Sequence, residues 1–255
     1  MFDTNEMLRR EITFCEMFTR RTVTDYGILY CNPDNPRSYD SNHAHVMDVH
    51  GDLERAVQDI MAFYRARGIV PRLYQSFVPG ELERLQPVLV ARGFTVNTSV
   101  NTFMLFEPQH APAAAPTPEQ IDVRRVTRLS PEILEMAASG EDRDWGEWST
   151  RVLETETRNP DCHVLALYAG SRCMALASVQ VMDGYSRVDD VKTHADFREQ
   201  RYGTRLINRL TAYHSAISGN YLYLYANNPI AIRMYRNASF RDVAVDKPCW
   251  SAFLP

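Results

Sequence analysis

The sequence contains no apolar run long enough to cross a membrane. None of its uninterrupted apolar stretches approaches the roughly 18 residues that a membrane span requires. Its first ten residues are polar, include Arg9 and Arg10, and lack the apolar core of a signal peptide. We therefore expect a cytoplasmic protein with no membrane partner.

Paired cysteines and a surplus of basic residues are also missing. The five cysteines are scattered and form no C-x-x-C pair, which argues against a zinc cage or a disulfide framework and favours buried, reduced thiols. The formal net charge is -4 at pH 7, so the chain has no basic field that attracts nucleic acid. We expect no nucleic-acid partner.

The sequence does contain enough apolar residues for a sizeable core. Apolar content of 45% and charged content of 24% over 255 residues are typical of a globular protein with one large domain or two small ones. The clearest linker signal is residues 107–118, where four prolines stand among small residues. It predicts domains at residues 1–106 and 119–255.

Three histidines, His43, His45 and His50, lie within eight positions beside a predicted short strand at 46–49. On an extended strand His43 and His45 would share a face. No carboxylate or cysteine at zinc-ligand spacing accompanies them. We interpret them as polar loop histidines or as acceptor-pocket residues, and we predict no bound metal.

Apolar periodicity predicts alternating helices and strands in the first half. The predicted helices are residues 4–20, 53–67 and 81–92, the last one broken or restarted at Pro87. The predicted strands are residues 23–30, 70–77 and 95–106.

The second half begins with a predicted strand at 121–129. Ser130, Pro131 and Glu132 then form a helix opening, and residues up to Asn159 are predicted to be mostly helical, with interruptions around Gly140 and Gly146. Strands follow at 164–168, 173–182 and 185–193.

The stretch 188–240 organises the chain. A predicted strand feeds a turn that opens an amphipathic helix, and such a turn is suited to bind phosphate. The turn reads Arg198-Glu199-Gln200-Arg201-Tyr202-Gly203-Thr204. A buried strand and a short helix follow, with the spacing Asn228-x-x-Ala231-x-x-x-Tyr235 and then Phe240.

These motifs resemble the GNAT superfamily of acyl-CoA-dependent N-acyltransferases, whose turn is written R/Q-x-x-G-x-G/A. The resemblance covers about residues 121–250. Two positions depart from the pattern, because Arg201 replaces the first glycine of the turn and Ser239 replaces the glycine before Phe240. The implied fold class is α/β (α+β), with two GNAT-like lobes that each have a mixed, largely antiparallel sheet flanked by helices.

The resemblance also implies where acetyl-CoA, the co-substrate, would bind. The end of a splayed strand would hold the pantetheine arm, the turn would hold the pyrophosphate, and further contacts would come from the short helix. The implied cofactor residues are Val191, Lys192, Thr193, Arg198, Glu199, Gln200, Arg201, Tyr202, Gly203, Thr204, Asn228 and Tyr235.

Catalytic roles follow from the same resemblance. Tyr235 is the candidate general acid, since a phenol is protonated at pH 7; a packing tyrosine is the alternative. Backbone amides near Val191 would stabilise the oxyanion. Asp190 or Asp189, on opposite faces of the strand, is the candidate base; a strand-end carboxylate bound to backbone or to Arg187 is the alternative.

The acceptor wall is the least defined part of the predicted site. Trp145, Glu147 and Trp148 lie in the region that usually forms this wall in the family. Aromatic rings beside an acid suit a cationic amine, and plain core packing is the alternative.

The first half shows a similar order of elements without the chemistry. Only His50, Gly51 and Asp52 stand where the turn belongs, and Leu89 stands where Tyr235 belongs, five residues before Phe94. We interpret this half as a degenerate GNAT-like domain in a tandem arrangement. An unrelated α+β domain is the alternative.

The sequence therefore predicts a GNAT-type N-acetyltransferase that moves an acetyl group from acetyl-CoA to a primary amine of a small molecule by direct attack. We expect a monomer or homodimer. The alternative is a non-catalytic acyl-CoA-binding or regulatory module. A Rossmann-type enzyme is disfavoured because no G-x-G-x-x-G follows a strand.

Overall fold

The computed structural model describes residues 2–108, 121–140 and 143–255, without the side chains of 143–145. Contacts divide the chain into two compact units. The N-terminal unit comprises Glu11–Asn101 with Lys247–Pro255, and the C-terminal unit comprises Met1–Arg10 with Thr102–Asp246. Most of the linker predicted at 107–118 lies outside the described residues, and the domain bounds 1–106 and 119–255 stay a prediction.

Both units combine helices with a mixed sheet, which confirms the predicted α/β class. The elements up to residue 106 are α1 (Thr4–Thr13), a 3-10 turn (Phe14–Met17), β1 (Arg20–Val23), β2 (Gly27–Cys31), β3 (Ala44–Val46), α2 (Leu53–Arg65), β4 (Arg72–Tyr74), α3 (Glu81–Ala91) and β5 (Thr95–Phe106). None of the helices in the described part of the chain is both long and apolar enough to cross a membrane.

The N-terminal unit is built on strands in the order β1, β2, β3, β4 and β11 (Arg241–Phe253). Strand β4 pairs with the last residues of β11, so the end of the chain completes this sheet. Helix α2 covers it with Val57, Ile60 and Tyr64, all fully buried. Burial of each such side chain contributes roughly 1.5–3 kcal/mol.

Three local predictions for this unit are wrong. The strand expected at 23–30 is a hairpin of β1 and β2, because a turn divides it, closed by a hydrogen bond from the Thr24 amide to the Gly27 carbonyl at 2.9 Å. The strand expected at 70–77 is shorter than predicted, because only Arg72–Tyr74 form β4. Helix α3 continues through Pro87, since the fully buried Leu85 and Leu89 anchor both halves of the helix.

The interpretation of the histidines as polar loop residues is wrong for two of them. His43 is 1% exposed and His45 is 3% exposed, whereas His50 is exposed. Tyr30 packs against both imidazoles, and Tyr74 stacks on that of His43, so aromatic rings from the neighbouring strands cover them. The five cysteines are buried and reduced, as expected.

The C-terminal unit contains most of the remaining elements. They are β6 (Ile121–Val126), α4 (Pro131–Ala138), α5 (Arg143–Arg158), β7 (Cys162–Ala169), β8 (Arg172–Val181), β9 (Tyr185–Thr193), α6 (Tyr202–Ile217), β10 (Tyr221–Ala226) and α7 (Pro229–Asn237). The strand order is β6, β7, β8, β9, β10, β5. Strands β9 and β10 are parallel, and the other neighbours are antiparallel.

One prediction for the helices of this unit is wrong. Gly146 lies within α5 and does not interrupt it. A Cβ at Gly146 would lie 3.5 Å from the Cβ of Ala138, so the glycine allows α5 to pass close to the end of α4. Helix α6 packs on the sheet through Leu206, Ile207 and Leu210, all fully buried.

Candidate active site

Two strands diverge at the centre of the C-terminal unit. Strands β9 and β10 pair only where residues 185–187 face 221–223. Beyond Arg187, β9 continues to Thr193 and β10 to Ala226, and the described residues show no further pairing between them. Backbone amides on the open edge of β9 need another partner, because buried amides are nearly always hydrogen-bonded.

A β-bulge lies on the other side of the same strand. Leu176 faces Lys192 and Ser178 faces Asp189, so Asp190 and Val191 together face a single residue of β8. Asp190 adopts a left-handed backbone conformation with φ of 48°. A bulge of this kind leaves its extra residue outside the regular strand pairing, which resumes at Lys192.

The turn after β9 contains two more left-handed residues, Glu199 with φ of 65° and Arg201 with φ of 64°. This conformation costs a residue other than glycine roughly 1–2 kcal/mol. Arg201 is the N-cap residue directly before helix α6, and no side chain caps that helix end. The first amides of α6 therefore point outward without a partner from the helix itself.

Gly203 leaves room at this helix start. A Cβ at this position would lie 3.0 Å from Thr193 Oγ1 and 3.4 Å from Met234 Sδ. The turn, the end of β9 and the middle of α7 therefore converge around a residue without a side chain. Arg201, in the place of a family glycine, adopts the backbone conformation that glycine favours.

These elements surround a cleft of about 830 Å³. Its volume is within the roughly 300–1,000 Å³ of small-molecule sites. The predicted site residues that line it are Asp190, Val191, Lys192, Thr193, Arg198, Glu199, Arg201, Tyr202, Gly203, Thr204 and Asn228. The predicted residues with described side chains that do not line it are Glu147, Trp148, Asp189, Gln200 and Tyr235. The side chain of Trp145 lies outside the described residues.

Tyr235 lies on the inward face of α7. It is 6% exposed, and its ring packs edge-on against Phe240 with centroids 5.9 Å apart. Burial, and then the negative charge of Asp189, raise the pKa of Tyr235 to about 12. The hydroxyl is therefore protonated at neutral pH, which a proton donor requires.

Other predicted residues have structural partners as well. Asn228 caps α7, because its Oδ1 accepts a hydrogen bond from the Ile230 amide at 2.9 Å. Lys192 Nζ donates to the Ala137 carbonyl at 2.6 Å, near the negative end of α4. Asp189 forms an ion pair with the buried Arg187, as in the alternative interpretation of this carboxylate.

A buried carboxylate that the sequence analysis missed lies beside the cleft. Glu156, on α5, is 3% exposed, and its Oε1 accepts hydrogen bonds from Ser178 Oγ at 3.3 Å and Gln180 Nε2 at 3.1 Å. Its Oε2 has no hydrogen-bond partner among the described residues. Burial, and then the charge of Asp189, raise the pKa of Glu156 to about 7.

The sequence contains only a weak indication that Glu156 is buried. It follows the buried Leu153 by one helical turn, so it is an acid within the apolar stripe of α5. Its link to the cleft is Ser178, which lines the cleft.

Comparison with known proteins agrees with this geometry. Residues 130–240 match the model of the Acetyltransferase (GNAT) family. These residues therefore correspond to a GNAT acetyltransferase domain. The matched residues of the GNAT domain include the bulge, the turn and the helix that carries Tyr235. No curated protein matches the chain by sequence.

Solved structures share the fold of the chain at low sequence identity. A GCN5-related N-acetyltransferase from Kribbella flavida is similar at a TM-score of 0.71 and 18% identity, over 100% of this chain and 96% of the other. A GCN5-related N-acetyltransferase-like protein from Streptococcus suis gives 0.58 and 13%, over 98% and 100%. A tandem GNAT protein from the clavulanic acid biosynthesis pathway gives 0.52 and 11%, over 75% and 66%.

Proposed function

We propose that the GNAT domain transfers an acetyl group from acetyl-CoA to a primary amine of a small molecule by direct attack. The observation that carries this proposal is the convergence, in one cleft, of the open edge of β9 with the uncapped start of α6. The open strand edge suits the extended thiol arm of the donor, and the uncapped helix start suits its pyrophosphate.

The cleft suits the donor in two ways. The outward amides of Tyr202, Gly203 and Thr204 at a helix start favour a doubly negative pyrophosphate, and the exposed Arg198 and Arg201 add positive charge. The backbone of 191–193 offers hydrogen-bonding groups to an amide-containing arm. When bound, acetyl-CoA supplies a thioester whose carbonyl accepts the nucleophile.

The bulge gives β9 a role in catalysis. It turns the Val191 amide out of regular pairing, so this amide is our candidate for stabilising the negative charge that develops on the carbonyl oxygen.

We assign the general base to Glu156. An amine must lose a proton before it attacks, and a carboxylate with a pKa near 7 accepts one efficiently at neutral pH. Ser178, which lines the cleft and donates to Glu156, is the group through which the proton passes. Asp190, exposed and also lining the cleft, is the competing base from the sequence analysis.

We keep Tyr235 as the general acid, since its raised pKa holds a proton on the hydroxyl. The same residue supports the second candidate function. Because Tyr235 is buried and does not line the cleft, a module that binds acyl-CoA without turning it over also fits this observation.

We further propose that residues 1–106 derive from a GNAT-like domain that binds no acyl-CoA. The absence of a tyrosine at the fully buried Leu89 supports this origin.

We also propose that Glu147 and Trp148 border the acceptor. We expect the protein to act in the cytoplasm as a monomer or homodimer.

Thiol release from acetyl-CoA across a panel of primary amines tests the enzyme. Turnover that depends on an amine supports acetyl transfer. Saturable binding of acetyl-CoA without turnover by any amine would instead support the binding module, and absence of binding would refute both.

A further inference from the structure

Two imidazoles and a thiol meet in the interior of the N-terminal unit. His43 lies directly before β3, His45 lies within β3, and Cys15 lies in the 3-10 turn Phe14–Met17. Their exposed fractions are 1%, 3% and 0%. We call these three residues the His–His–Cys cluster.

Main-chain carbonyls define the protonation of both rings. His43 Nδ1 lies 3.2 Å from the Tyr39 carbonyl oxygen, and His45 Nδ1 lies 2.9 Å from that of Gln75. A carbonyl oxygen only accepts hydrogen bonds, so each Nδ1 carries a proton and donates it. In each neutral ring the lone pair is therefore on Nε2.

The two Nε2 atoms lie within contact distance of one another. His43 Nε2 and His45 Nε2 are 3.1 Å apart, and Cys15 Sγ is 4.0 Å from His43 Nε2. An additional proton between the rings would create a buried positive charge. Burial opposes this charge, because it lowers the pKa of both histidines, that of His45 to about 4.

We propose that Cys15, His43 and His45 bind one closed-shell metal ion, Zn²⁺ or Cu⁺, through Sγ and the two Nε2 atoms. Imidazole nitrogen and thiolate sulfur are preferred ligands of these ions. The carbonyls of Tyr39 and Gln75 would orient the rings, as outer-shell acceptors do for metal-bound histidines.

The observed distances are close to those of a loaded site. Tetrahedral zinc, with Zn–N of about 2.05 Å and Zn–S of about 2.3 Å, places two nitrogens about 3.3 Å apart and nitrogen and sulfur about 3.6 Å apart. The measured 3.1 and 4.0 Å differ from these by a few tenths of an ångström. As they stand, the described residues contain no complete group of three metal ligands, so loading this site requires Cys15 Sγ to move toward the two rings.

Metal binding changes one proton. Burial raises the pKa of the Cys15 thiol, so the metal–sulfur bond forms as the S–H proton leaves to solvent. Because all three side chains are buried, the ion enters as the unit folds and exchanges slowly afterwards. Neither step depends on acetyl transfer.

The test uses the full chain without a histidine tag. The chain is unfolded in denaturant with a chelator. It is then refolded with Zn²⁺, with Cu⁺ under a reductant, or with no metal. After gel filtration, the metal content and the Tm of each sample are measured. We expect one ion per chain and a higher Tm with metal. Refolding with Co²⁺ should give a thiolate-to-metal charge-transfer band.

Matched variants locate the site. Cys15→Ser and His43→Gln should weaken metal binding about 10-fold or more, and Cys15→Ser should remove the cobalt band. Cys31→Ser, at another buried cysteine of the same unit, and His50→Gln, at the exposed histidine, should keep both.

Three results would overturn the proposal: wild-type chain that retains no metal, ligand variants that retain as much metal as the controls, or an Nε2-bound proton on either ring in the metal-treated chain by ¹⁵N NMR. If Cys15→Ser does not fold, the cobalt band of the wild type decides, since its absence in loaded protein excludes the sulfur ligand.

Discussion

The two units differ in whether side chains cap the start of a helix. In the N-terminal unit, α2 is capped by Asp52, which accepts from the Arg55 amide at 3.0 Å. Asp48 accepts from the amides of His50 at 3.0 Å and Gly51 at 3.1 Å. The amides that could hold a phosphate are thus occupied by carboxylates of the chain itself.

In the C-terminal unit, the start of helix α6 is open. No side chain caps it, and Arg198 and Arg201 stand beside it where the N-terminal unit has acids. A negative ligand is favoured at α6 and repelled at α2. The comparison shows that a similar order of helices and strands need not provide the same anion site, because the residues around the helix start determine whether an anion is favoured there.

The largest expected effect is at Gly203. Gly203→Leu should weaken acetyl-CoA binding about 100-fold or more, because the side chain would overlap Thr193 and Met234 at the open helix start. Isothermal titration calorimetry measures this change. Gly219→Leu is the control, since a Cβ there meets no atom within 4 Å. Equal loss in both variants would contradict a site at α6.

A smaller effect is expected at Glu156. Glu156→Gln should lower kcat about 100-fold with little change in acetyl-CoA affinity. In the wild type kcat should rise with pH through about 7, as Glu156 ionises, and the variant should lose this rise. Glu154→Gln, at an exposed acid on the same helix, is the control. An unchanged pH profile in Glu156→Gln would reject Glu156 as the base.

The same substitution should also make the stability of the chain less dependent on pH. Burial raises the folded-state pKa of Glu156 above its unfolded value of about 4.3, so its stabilising contribution is present below that pH and is lost as the pH rises through the folded-state value. The Tm of Glu156→Gln should therefore fall less than that of the wild type between these pH values. Thermal unfolding at several pH values measures this.

Tyr235→Phe should reduce kcat about 10-fold and leave acetyl-CoA binding unchanged, because it removes only a proton donor from a buried ring. Tyr221→Phe, at a half-buried tyrosine of the same unit, should keep full activity. Unchanged turnover in Tyr235→Phe would show that this tyrosine only packs.

The smallest effect is expected at the closed helix start. Asp52→Ala should destabilise the chain by about 1 kcal/mol, since one amide of α2 loses its cap. Denaturant unfolding measures the change, with the exposed Asp59→Ala on the same helix as the control. The stoichiometry of acetyl-CoA binding should not change, because Asp48 still occupies the neighbouring amides.

Features encoded by neighbouring residues could be predicted from the sequence. The amphipathic stripe of α6 and the turn that opens it each depend on positions within a few residues. The α/β class was implied by the resemblance to the GNAT superfamily, whose motifs are short segments of this kind.

Features that depend on distant residues could not be predicted. Glu156 acquires its environment from Ser178 and Gln180, on a strand more than 20 positions away. The last strand pairs with β4, about 180 positions earlier, so a linker signal gave no indication that residues 247–255 belong with the N-terminal unit. Burial of His43 and His45 likewise follows from strand pairing that periodicity does not specify.

The most direct test of the comparison is calorimetric titration of the full chain with acetyl-CoA. We predict one site per chain, because α6 is open and α2 is closed, and we predict that Gly203→Leu abolishes it. Two sites per chain, or one site that survives Gly203→Leu, would contradict the account.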